Sequence, residues 1–426
     1  MSTAQETVTE QDVKRLRELG KRVQEIAAHP DQEEHRKIWT AVNDGKMIRP
    51  AVLARDAAVH LLNVNDELTT TIKDEFLEKI EAQLLQKIYE WTHLKCHTVV
   101  EPWVLCPASI TDTGYGIDIS NPAAGSLNEQ KSQELDHARH FDRIINGEED
   151  LEMIQYPKVE HNEDETNRRK ALLEEIFDGI LGVKLFGKQY FRFVPWDDLL
   201  SWMGLEEGMY DFILNPDFMH RAMSRYVDAA IHQAKSYEKL GLVSSNNTNL
   251  FTGNGGYGYS SLLPAPTESG IGATLQSMWG SVANQIFTSV SPDMTLEFAV
   301  NHEKRWAEMF SLNYYGCCER LDHKLDELRE LPNLRKVSMS PYANIEEGME
   351  KMGNDLVVSF KPNSNYLANP VADYDFLKDE IIKVCKLARK YNCNVEMMMK
   401  TIITLQGEPQ RLWKWCDMAR EIVADY

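Results

Sequence analysis

The sequence predicts an α/β protein, a (β/α)8 TIM-like barrel with an N-terminal helical appendage. Three observations predict it. The second half alternates helical and extended segments, its apolar runs of four to seven residues read as buried parallel strands, and a chain of 426 residues suits one barrel with insertions better than several small domains. Apolar residues at 43% are enough for a substantial core, so no disordered class is needed.

From the N-terminus, residues 10–42 carry charges at helical spacing with few large apolar side chains, as expected of exposed helices packed on something larger. Residues 1–60 are therefore read as the appendage and 61–426 as the barrel. Leu68, Ile72, Phe76, Ile80, Leu84 and Ile88 recur at four-residue steps, which predicts an amphipathic helix over 66–89 followed by an extended run over 98–104. The polar stretch 125–165 reads as an excursion leading to a helix at 163–178, and 180–194 as two short strands or one bent one.

A helix over 216–240 ends at Gly241, a suitable C-terminal cap, and a strand begins at Leu242. Ser291-Pro292 supplies an N-cap and a first-turn proline for a helix to 310. Strands at 312–316, 334–338, 355–360 and 394–399 then alternate with helices at 319–330, 344–352 and 373–391, and a last helix opens at Pro409.

The formal charge of −20 disfavours phosphate backbones and anionic lipid, so nucleic-acid and membrane partners are not expected. The polar start, Met1 to Gln11, has no apolar signal-peptide core, which points to the cytoplasm. Seven cysteines are then expected as thiols, an odd number that cannot pair completely.

In a barrel, functional side chains follow the C-terminal ends of strands, which selects the segments from Glu101, Pro195, Asn246, Cys317, Ser338, Lys361 and Lys400. Gly253-Asn254-Gly255-Gly256-Tyr257-Gly258 matches Gly-x-Gly-x-x-Gly, but the proline-containing stretch after it cannot open the helix a dinucleotide site needs. A flexible loop over the barrel mouth, offering Tyr257 and Tyr259, is the better reading, with a plain surface loop beside it.

Cys317-Cys318-Glu319 ends a strand and combines thiols with a carboxylate, donors suited to zinc, with His302, His323 and Glu396 as further candidates. Two small buried thiols are the alternative. Neighbours on a strand point to opposite faces, so only one cysteine is expected to face a pocket. His93 and His97 read as a surface pair, and His137 and His140 likewise. Lys361-Pro362-Asn363 places a cation and an amide where a carboxylate or phenolate could bind.

The chain resembles the uroporphyrinogen decarboxylase superfamily, and within it the methyltransferase components of corrinoid-dependent O-demethylase systems of anaerobic bacteria. The resemblance lies in Arg49-Pro50, Glu101-Pro102, Pro195-Trp196-Asp197, Gly255 to Tyr259, Met278-Trp279-Gly280, Gln285 to Phe287, Val290 to Pro292, Tyr314 to Glu319, Asn333 to Lys336, Ser338 to Pro341, Lys361 to Asn363, Asn394 to Glu396 and Pro409 to Trp413. It implies methyl transfer from a small methylated donor, such as a methoxyaromatic, to the cobalt of a separate corrinoid protein. No Asp-x-His-x-x-Gly cobalamin motif is present, which agrees with a cobamide carried by that partner. A homodimer is expected by analogy.

The resemblance further implies zinc on Cys318, Cys317 and Glu396. Protons would come from Glu319, Tyr257 or His323, and the donor would bind at Glu101, Trp196, Asn247, Tyr259, Trp279, Lys361 and Asn363. The thiol methyltransferases carry His-x-Cys where this chain has Gly316-Cys317-Cys318, and Lys400-Thr401 stands where a lysine and an acidic residue are expected. Decarboxylation of a carboxylated substrate is the alternative activity, but Ala54-Arg55-Asp56-Ala57-Ala58 replaces the decarboxylases' Arg-Gln-Ala-Gly-Arg.

Overall fold

A computed structural model describes residues 8–117 and 143–426; His137 and His140 lie outside them. The strands are β1 (Ala51–Ala54), β2 (Trp103–Pro107), β3 (Ile110–Asp112), β4 (Val159–His161), β5 (Gly182–Phe186), β6 (Trp279–Val282), β7 (Leu312–Tyr315), β8 (Leu334–Met339), β9 (Val357–Phe360) and β10 (Asn394–Met399). Six of them form one parallel sheet in the order β1-β10-β9-β8-β7-β6. Strands β6 to β10 follow chain order, and the first strand returns beside the last. An open doubly wound sheet reverses its order at a switch point; this one keeps a single order, which is consistent with the wall of a TIM-like barrel.

Among the described residues no ladder joins β6 to β1. Single backbone bonds occupy that side instead: His97 N–H to Val52 O at 3.0 Å, Lys188 N–H to Leu242 O at 2.8 Å and Ala283 N–H to Phe193 O at 3.1 Å. The strand expected from Leu242 is accordingly a single bridge between Lys188 and Val243. Gly187 permits this approach, since a Cβ there would stand 2.0 Å from Leu242 O.

The helices of the second half match their signals. Pro216–Lys239 ends at Gly241 with φ +68°, and Ser291 Oγ accepts the Met294 N–H at the next helix start. Two expectations fail locally. The helix expected from residue 66 begins at Glu75, because the Asp74 carboxylate caps the amides of Phe76 and Leu77 at 3.0 and 2.9 Å. The helix expected over 319–330 is only Leu325–Leu328, because Glu319 folds back onto the Cys317 N–H (2.7 Å) and holds the chain in a turn.

Two cores result. The larger joins the six-stranded sheet to its helices and includes Trp39, Val42 and β1. The smaller gathers Leu16, Leu19, Leu77, Leu84, Val104 and Phe177, from the helices Glu10–Ala27, Glu75–His93 and Glu163–Phe177 with β2 and β5. No helix among the described residues is long and apolar enough to cross a membrane.

Candidate functional site

At the C-terminal edge of the sheet, β1 runs into Arg55 and Asp56, β7 into Gly316 to Glu319, β9 into Lys361 and β10 into Lys400. Gly316, at φ +99°, turns the chain so that Cys317 is buried and Cys318 exposed, with their sulfurs 3.5 Å apart. Lys400 Nζ stands 4.0 Å from Cys317 Sγ, donates to Asn254 Oδ1 at 2.8 Å and lies 3.8 Å from Asp56. Lys361 Nζ donates to Ser359 Oγ (2.5 Å), Ser359 O (3.0 Å) and the Tyr314 hydroxyl (3.2 Å).

These surroundings set the protonation states. Burial pushes Lys361 down to about 7, against the pull of Glu396. The hydrogen bond from Cys317 lowers Cys318 to about 6, helped by the ammonium groups of Lys400 and Lys361, and the same bond, with burial, pushes Cys317 up. Burial raises Glu319 to about 7; its Oε2 accepts the Cys317 N–H and its Oε1 has no partner.

Beneath this edge the sheet interior holds an ion pair with no exposure, Lys336 Nζ to Glu396 Oε2 at 2.6 Å. Glu396 Oε1 accepts from Ser359 Oγ (2.5 Å) and from Gly256 N–H (3.0 Å). Burial works against the Glu396 charge, but Lys336 and Lys361 overcome it and hold the carboxyl below its usual range. Gly256 belongs to a finger closed by the Phe251–Tyr257 bridge, whose backbone oxygens at Gly253 and Gly255 accept from Arg55. The glycine-rich loop expected to lie over the mouth is thus packed inside, because glycines at 255 and 256 let it pass Tyr314, Glu396 and the Trp39 ring.

The expected site residues divide into groups. Cys317, Cys318, Glu319 and Lys361 meet at the C-terminal edge. Glu101 instead precedes β2 and lies with Asn247 and Tyr259 along a separate cavity of about 430 Å³, where the Tyr259 hydroxyl donates to Glu101 at 2.5 Å and Arg36 pairs with it at 3.3 Å. Tyr257 is buried against Trp39, at a ring separation of 5.2 Å. Trp196 and Trp279 are buried with their indole N–H groups on Phe298 O and Gly258 O. Asn363 follows Lys361, its N–H held by Glu380 and its Oδ1 by Asn365 N–H. The charges around His323 are Lys324, Asp322, Arg320 and Glu347, none of them in the edge cluster.

The edge also contains Arg55, Ser359 and Asn254, with Lys336 beneath it, none of them expected as a site residue from the sequence. Glu396 had a signal in the sequence, a single charge inside β10, whereas Lys336 stands beside a second charge, Arg335, in β8.

The donor set does not fit a zinc ion as placed. Two sulfurs stand at a separation compatible with one metal, but both Glu396 oxygens are already engaged, Glu319 is turned onto the Cys317 amide, and the Lys400 ammonium stands 4.0 Å from Cys317 Sγ. Among the described residues no group of three or more His, Cys, Asp or Glu side chains is arranged to hold a metal.

No family model matches the chain, and no curated protein does. Solved structures do match it. One of these is a methyltransferase from Methanosarcina mazei, similar at 12% identity over 91% of this chain and 98% of that chain, with a TM-score of 0.48.

Proposed function

We propose that the chain is a methyltransferase that moves a methyl group from a small methylated donor, a methoxyaromatic, to the cobalt of a separate corrinoid protein. The motif resemblance supports the reading, and the observation that carries it is Lys361. An aryl methyl ether releases its methyl group readily only when its oxygen departs protonated. Lys361 is a buried acid brought down to about 7, so near neutral pH it can give up a proton and be recharged from solvent.

In this reading the partner's corrinoid would supply the nucleophile for the methyl carbon, and as the carbon–oxygen bond breaks with its electrons left on oxygen, Lys361 would give that oxygen a proton by releasing one of its bonds to Ser359 or Tyr314. Lys400 adds positive charge for an anionic group on the donor, and Glu319, on the Cys317 amide, is a second proton-holding group. The test mixes the protein with free cob(I)alamin and a series of methoxybenzoates and methoxyphenols, and follows methylcobalamin by its spectrum and the phenol by chromatography. Methylcobalamin should form with at least one donor, and Lys361→Met should slow it at least a hundredfold. Carbon dioxide released from a carboxylated donor without corrinoid, and no methylcobalamin, would establish the decarboxylase alternative instead.

A further inference from the structure

The mismatch between the cysteine pair and a zinc site leaves a dithiol to be explained. Of the seven cysteines only Cys318 is exposed; Cys96, Cys106, Cys317, Cys385, Cys393 and Cys416 are buried. Its sulfur lies 3.5 Å from Cys317 Sγ, which itself faces the Lys400 ammonium at 4.0 Å. A disulfide bond is about 2.05 Å long, so the two sulfurs need to close by about 1.5 Å. The exposed Cys318 side chain, bordered by the positive-φ turn at Gly316, is the one free to move.

We propose that Cys317 and Cys318 form a thiol-exchange pair, in which Cys318 attacks small disulfides and Cys317 resolves the mixed disulfide into a reversible Cys317–Cys318 bond. The oxidant is a low-molecular-weight disulfide such as oxidised glutathione. The Cys318 thiolate attacks one of its sulfurs, forming a mixed disulfide and releasing one glutathione thiolate. Cys317 then loses its proton to the medium, with Lys400 stabilising the thiolate, and attacks Cys318 Sγ to release the second. The pair loses two electrons and two protons, and one oxidised glutathione becomes two reduced ones. Oxidation would remove the exposed thiol beside Lys361 and so switch the edge reversibly. The exchange stands whether or not the edge moves methyl groups, so its readout is mass rather than turnover.

The full-length reduced protein is treated with oxidised glutathione, quenched in acid, unfolded, alkylated and mapped by mass spectrometry. The peptide carrying residues 317 and 318 should lose both alkylation sites without retaining glutathione, the other five cysteines should alkylate fully, and dithiothreitol should restore the pair. Cys317→Ser should trap one glutathione on Cys318, and Cys318→Ser should trap none. Independently of any variant, phenylarsine oxide should add once per chain, forming two As–S bonds with loss of water and blocking both thiols. A stable glutathione adduct on the unsubstituted protein, two thiols that both stay alkylatable, or one tightly held zinc per chain that prevents both reactions would overturn the proposal.

Discussion

Replacing Glu396 by glutamine removes one charge from the pair with Lys336 while keeping its shape and its contacts to Ser359 and Gly256. At 2.6 Å the pair's gross attraction is about 6 kcal/mol for an effective dielectric constant near 20, and moving each ion out of water costs several kcal/mol. The intact pair therefore contributes little net stability, whereas an orphaned ammonium keeps its whole desolvation cost. The single substitution should destabilise by about 3–5 kcal/mol. For a chain of 426 residues, an unfolding entropy of roughly 2 cal/mol/K per residue converts this to a fall in Tm of about 3–6 °C. Lys336→Met combined with Glu396→Leu should recover most of the loss, because no buried charge remains. Calorimetry of the parent, the single and the double variant measures it. A single variant as stable as the parent would refute the reasoning, and so would a double variant less stable than the single. Loss of bound zinc in Glu396→Gln at unchanged Tm would make the residue a ligand rather than a structural partner.

Three further outcomes follow from the same geometry. If the Lys361 ammonium supplies the proton, kcat should fall as pH rises through about 7; because its folded pKa lies below the unfolded value, burying the cation opposes folding most at acid pH. The parent should therefore gain stability on Lys361→Met between pH 7 and 9, and a flat difference in Tm would show that Lys361 is not perturbed. Gly256→Ala would set a Cβ 2.2 Å from the Trp39 ring and 2.9 Å from Glu396 Oε2, so a loss of about 1–3 kcal/mol or more is expected in urea unfolding. Tyr259→Phe removes the 2.5 Å bond to Glu101, which keeps Arg36, and should cost about 1.5–3 kcal/mol with turnover unchanged; a tenfold rise in KM would return Tyr259 to the substrate site.

The fold's second half was legible because its signals are local. Gly241, Ser291-Pro292 and Asp373 terminate or open helices through their own backbone and side-chain chemistry, and the apolar runs of β7 to β10 have no competing period. The strands between β1 and β6 were less legible, since the stretch over 187–194 makes single backbone bonds and no ladder. Strand-end position did bring Cys317, Lys361 and Lys400 to one edge of the sheet. It misplaced Glu101, which precedes a strand rather than following one, and the turn at Glu319 was invisible because a helix-compatible sequence is overridden by one carboxylate bonding to the Cys317 amide. Glu396 could be seen as odd, but its pairing with Lys336 depends on which strands neighbour one another.

That pairing also decides what charge remains for a ligand. Lys336 is spent on Glu396, and Arg55 lies 3.0 Å from Asp56. Lys361 and Lys400 are left facing the thiols, with the more distant Asp56 as the acidic neighbour of Lys400. A chain of net charge −20 thus carries a small positive cluster at this edge whose field is local. At physiological ionic strength charges separated by more than about 8 Å are screened, so the acidic surface would do little to keep an anion from this edge, where the two buried ammonium groups would act at short range. The same two groups favour the Cys318 thiolate. Any anion placed at this edge would therefore compete with an ionised Cys318 for one pair of cations, so the thiol's charge state sets how much positive charge the edge can offer.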